Sequence, residues 1–127
     1  MYNQRTNEMK VESFNNRLDF EGDRIVTQVI VESSFSKEIR MLLKRGQTMK
    51  EHQAPFPILI HILEGTIEFG VHGAIHPLQK GAIITLEGKI PHSLTALEDS
   101  VVRLTLSKLD HAERIDKVVE DASKSPA

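Results

Sequence analysis

The sequence contains no cysteine. That excludes a disulfide framework, a thiolate nucleophile and any zinc site built on sulfur, so chemistry must come from histidine, carboxylates or the backbone. It also has no run approaching the roughly 18 apolar residues of a membrane span, and the first residues, MYNQRTNEMKVESFNN, lack the apolar core of a secretion signal. The expectation is a cytoplasmic protein with no membrane partner. Charge of one sign is lacking too: 16 Lys and Arg are scattered among 18 Asp and Glu, for a net charge of −2. Without a basic stripe, a nucleic-acid partner is not expected.

What is present is a globular balance. The 127 residues are 39% apolar and 27% charged, enough to bury one ordinary core without covalent staples. Residues 1–23 are polar and carry no sustained period, so they read as an N-terminal arm or edge segment. From Arg24 the pattern changes to short runs rich in Ile, Val, Leu, Thr and Phe: RIVTQVIVES, EIRMLL, PILIHIL, TIEFGV, AIHPL, AIITL, HSLTA and VVRLTL. Turn signals such as RGQ, EGT, HGA and QKGA separate them every eight to twelve residues or so, which predicts an all-β sandwich or barrel over residues 24–107. Several runs alternate. Ile39, Met41 and Leu43 share one face against Glu38 and Arg40, and Val102, Leu104 and Leu106 oppose Arg103 and Thr105, so one face is expected inside and the other in water.

The run 58–63 breaks that alternation. Ile58, Ile60 and Ile62 lie on one face, while Leu59 and Leu63 flank His61 on the other. A strand apolar on both faces is covered on both. Another element or a second subunit is therefore expected over Leu59, His61 and Leu63, and a homodimer with it. Residues 108–127 differ in kind: Asp110 stands three before Glu113, and Ile115, Val118 and Val119 share a helical face, predicting a short C-terminal helix and a frayed tail.

The spacing of a few residues is more specific. Gly46 is followed after five residues by His52, then a loop, a strand ending Leu63-Glu64-Gly65, a further glycine at Gly81, and a strand entered through Ile90-Pro91-His92. Over residues 37–107 this resembles the small cupins, the conserved-barrel type. The resemblance implies a double-stranded β-helix, or jelly-roll, barrel. In metal-binding members the first motif supplies two histidines and a glutamate, and the second motif one histidine. The first and last of these fall on His52 and His92. The other two positions hold Ala54 and Ile58, and the second motif also departs, with Glu87, Lys89 and Ala96 where proline, glycine and asparagine are usual.

Two neutral imidazoles fall short of the three protein donors that catalytic zinc and iron sites retain. The neighbours do not make up the difference. Glu51 reads as a solvated charge, His61 has the strand parity opposite to Ile58, His72 and His76 flank a hairpin glycine at Gly73, and His111 sits at the expected helix start. Ala54 and Ile58 leave apolar volume where a charged cage would stand, and with His52, His92, Met41, Met49, Phe56, Ile60 and Leu94 they are the candidate lining of a small-molecule pocket. Two functions follow. One is a barrel that binds a small organic ligand; the alternative is a metal-dependent dioxygenase, isomerase or decarboxylase in which His52 and His92 hold a weakly bound divalent metal.

Overall fold

The computed structural model describes residues 8–108. Their elements are nine strands: β1 (Val26–Glu32), β2 (Ser36–Leu43), β3 (Thr48–His52), β4 (Ile58–Glu64), β5 (Thr66–Val71), β6 (Ala74–Gln79), β7 (Ile83–Leu86), β8 (His92–Ala96) and β9 (Ser100–Ser107). They form a five-stranded sheet in the order β1-β2-β9-β4-β7 and a four-stranded sheet in the order β3-β8-β5-β6, with antiparallel pairing throughout. The all-β expectation holds. The helix expected from Asp110 onward, and His111 with it, lie outside the described residues.

Local chemistry accounts for the turns. His72 and Gly73 both have positive φ, at 52° and 74°, which is the type I′ geometry that matches the twist of the β5–β6 hairpin. Gly65 at the β4–β5 turn also has a positive φ, 89°, and an added Cβ there would stand 2.6 Å from the Asp99 carbonyl oxygen and 2.7 Å from the Ser100 Cα. Only glycine meets both demands.

Register then decides which residues meet. On the inner face of the five-stranded sheet one row runs Ile39, Leu104, Ile60, Ile84, and the next runs Glu32, Lys37, Leu106, Ile58, Leu86. The facing sheet contributes Met49, Leu94 and Phe69 in one row and His52, His92 and Val71 in the next. Met41, Leu43, Ile60, Ile62, Ile67, Phe69, Leu94 and Val102 close the core between the sheets. Each such side chain contributes about 1.5–3 kcal/mol on burial.

The outer face of the five-stranded sheet departs from expectation. Arg40, predicted to face water, is only 2% exposed. Its row runs Gln28, Arg40, Arg103, His61, Ile83, and the N-terminal segment lies over one end of it. The Arg40 guanidinium donates to the carbonyls of Phe14 (2.9 Å), Asn16 (2.5 Å) and Arg17 (3.0 Å) and to Gln28 Oε1 (3.0 Å). Parity placed this side chain outside the barrel correctly; the chain's own arm, not solvent, covers it. Leu59, His61 and Leu63 are half-buried, with the Phe14 ring stacked over the neighbouring Arg103 guanidinium at 5.9 Å.

Candidate functional site at the barrel mouth

His52 ends β3 and His92 begins β8, and the two are directly paired across the strands. Simple alternation from the Met49–Leu94 pair would set Glu51, not His52, opposite His92. A β-bulge between Met49 and His52 inserts one residue and resets the parity, so that both rings lie on the same face. Their centroids stand 4.5 Å apart with the planes tilted by 55°, and Phe69 stacks on the far side of His92 at 5.7 Å.

The two rings are oriented alike. His52 Nδ1 lies 2.9 Å from the Lys50 carbonyl oxygen and His92 Nδ1 lies 2.9 Å from the Ile90 carbonyl oxygen. A carbonyl only accepts, so Nδ1 carries the proton in both neutral rings and each Nε2 keeps its lone pair. His92 is 2% exposed, whereas His52 is open to solvent. Burial pushes the His92 imidazole below its ordinary range by disfavouring the cation; the Ile90 carbonyl opposes this, and the charge of His52 adds to it.

Two loops join the sheets at this end. Residues 53–57 run from His52 to Ile58, and residues 87–91 pack against them. The Lys89 N–H donates to the Ala54 carbonyl at 2.7 Å, and Gly88 approaches so closely that a Cβ would lie 2.7 Å from the Pro55 carbonyl oxygen. Lys89 itself has a φ of 66°. That left-handed conformation is the physical reason a glycine is usual at this point of the motif, and the chain keeps the backbone shape while substituting a lysine.

Beside these loops lies a cleft of about 460 Å³ lined by the 54–57 loop, by Glu32, Ser34 and Lys37 of the β1–β2 hairpin, and by Leu106, Ser107 and Lys108. Ala54 and Phe56 are thus brought together on its wall. His52, His92 and Met49 lie on the facing sheet, while Met41, Ile58, Ile60 and Leu94 sit within the packed core. Sequence reasoning missed Lys37. The signal was there: Lys37 is in phase with Ile39, Met41 and Leu43, and so points inward. Lys108 is engaged with Glu32 (2.6 Å) and the Ser33 carbonyl (3.0 Å), whereas the Lys37 ammonium makes no hydrogen bond or ion pair among the described residues.

The residues do not fit the metal centre that the motif implies. Ile58, at the glutamate position, is apolar and 6% exposed, and no group of three or more His, Cys, Asp or Glu among the described residues could hold a metal ion. Nor is any helix among them long and apolar enough to cross a membrane.

No family model and no curated protein sequence matches the chain. Solved structures do. An RmlC-like cupin protein from Desulfovibrio desulfuricans is 28% identical, with a TM-score of 0.73 over 79% of this chain and 97% of that one. A conserved protein of unknown function from Streptococcus pyogenes is 24% identical, with a TM-score of 0.67 over 78% and 87% of the two chains. A cupin 2 conserved barrel domain protein from Leptotrichia buccalis is 25% identical, with a TM-score of 0.63 over 71% of this chain and 44% of that one. The two-sheet topology, matched over nearly the whole of the Desulfovibrio barrel, is the fold of the cupin superfamily.

Proposed function

We propose that the chain is a barrel that binds a small organic molecule at its mouth, rather than a metal-dependent enzyme. The observation that carries this reading is the mouth itself: a cleft of about 460 Å³ walled by Pro55, Phe56, Pro57 and Leu106, next to an isoleucine where a metal cage would need a carboxylate. Pockets of roughly 300–1,000 Å³ with apolar walls and a few polar groups are the usual form of a small-molecule site. His52 and His92, with Nδ1 of each ring held to a backbone carbonyl, keep the Nε2 lone pair as an acceptor on the opposite sheet, His52 exposed and His92 buried.

The test is elemental analysis of protein purified without chelator or nickel resin, in wild type and in His52→Ala. The reading expects well under one equivalent of any transition metal, unchanged by the substitution. A full equivalent that disappears in His52→Ala would instead restore the dioxygenase, isomerase or decarboxylase alternative. A homodimer through the outer face of β4 belongs to the same reading, supported by Ile83, which is 56% exposed beside half-buried His61. A monomeric mass in solution would remove it.

A further inference from the structure

The inner row at the mouth reverses the charge pattern that a metal cage requires. Where the motif would set a glutamate, the row carries Ile58, and two strands along the same row it carries Lys37. Two strand spacings put their backbones about 10 Å apart, and a lysine stem spans much of that distance. The cleft holds two lysines, Lys37 and Lys108, against one glutamate, Glu32. Lys108 is ion-paired with Glu32, whose carboxylate also feels the charge of Lys37 across the β1–β2 pair, so among the described lining residues the cleft keeps one excess positive charge, and the Lys37 ammonium makes no hydrogen bond or ion pair there.

We infer that the cleft selects a small organic carboxylate, with Lys37 as the contact for the anion and Pro55, Phe56, Pro57 and Leu106 around the apolar body. This rests on the reading of the mouth as a small-molecule site and deepens it. Lys37 as a residue is half-buried beside apolar walls, and an ammonium in such a place interacts more strongly with an anion than it would in bulk water, because fewer solvent dipoles screen it. A single free ammonium suits a monoanion; a phosphate dianion is ordinarily met by several converging donors. The Ser34 hydroxyl, also on the cleft wall, offers a second donor for the carboxylate.

The test compares matched probes on the full chain by amide chemical-shift titration: phenylacetate against phenylacetamide, and hexanoate against hexanamide. Carboxylates are expected to move the resonances of Ala54, Phe56 and Leu106 and to bind about 5–10-fold more tightly than their amides. Lys37→Met, which keeps the apolar stem, removes that preference; Lys37→Arg, which keeps the charge, retains it. The wild-type comparison of acid with amide needs no variant to fold. If acids and amides perturb the cleft with equal affinity and Lys37→Met changes neither, the anion assignment is overturned while the small-molecule reading stands. If no probe moves the cleft resonances at all, the reading of the mouth fails and the assignment fails with it.

Discussion

At the scale of single residues, His92 is the group whose environment most constrains its chemistry. It is buried between His52 and Phe69, its Nδ1–H is committed to the Ile90 carbonyl, and burial holds its pKa below that of an exposed imidazole. The folded chain therefore binds a proton at His92 less readily than the unfolded chain does. Stability is complete above the unfolded value of about 6.5 and is lost as pH falls from there toward the depressed folded value. Urea unfolding midpoints between pH 8 and pH 5 should fall for wild type and fall less for His92→Gln, and parallel curves would contradict the assignment. Glu38 works in the opposite charge sense. Burial disfavours its carboxylate, yet hydrogen bonds from Arg103 (2.9 Å) and Thr105 (2.6 Å) outweigh that and hold its pKa below the ordinary range. Its contribution therefore persists through the window in which His92 titrates.

At the scale of elements, the turns and bulges fix what the strands present. Gly65 joins β4 to β5 in a left-handed conformation, with the Ser100 hydroxyl and the Asp99 carbonyl packed where a Cβ would go. Gly65→Ala should cost about 3 kcal/mol or more, adding backbone strain to overlap with main-chain atoms that cannot rotate away. Gly73→Asn, at a left-handed position with open space around it, should cost less than about 1 kcal/mol. Chemical denaturation of the two variants checks the ordering. Such elements also mark how much the sequence disclosed. Alternation in EIRMLL, PILIHIL and VVRLTL located the inner rows and, with the cupin spacing, the pair of His52 and His92. The bulge after Met49 was not legible, because an extra residue in one strand of a pair shows only when its partner is known. Reading the strand as simple alternation would have left His52 on the outer face. The cleft wall was half legible. Ala54 follows from the motif and Phe56 is among the apolar residues expected to line the pocket, but Glu32, Ser107 and Lys108 reach the same place only through long-range pairing of β1, β2 and β9.

At the scale of the whole molecule, the two faces of the five-stranded sheet serve different ends. The inner face closes the core and, in its last row, the cleft; the outer face is where the N-terminal segment is tied down. Arg40 is the buried centre of that tie, beside the Phe14–Arg103 stacking and an exposed hydrogen bond from Lys10 to the Glu32 carbonyl. Arg40 takes three carbonyls from residues 14–17 and one amide oxygen from Gln28, and its Nε is buried with no partner among the described residues. A buried guanidinium stripped of its acceptors is costly, on the order of 3–5 kcal/mol, because desolvation is then uncompensated. Removing residues 1–20 should therefore destabilise the barrel by roughly that amount, although the described part of that segment, residues 8–20, contributes no strand. Arg40→Met supplies the control, since an apolar side chain of similar length leaves no charge to strand. In that background the same deletion should cost much less, no more than about 1–2 kcal/mol, as what is lost is the packing of Phe14 and its neighbours and the exposed Lys10 contact to the Glu32 carbonyl. Urea denaturation of the four proteins gives the coupling directly. A deletion that costs the same with and without Arg40 would mean that the arm stabilises the sheet by burial alone.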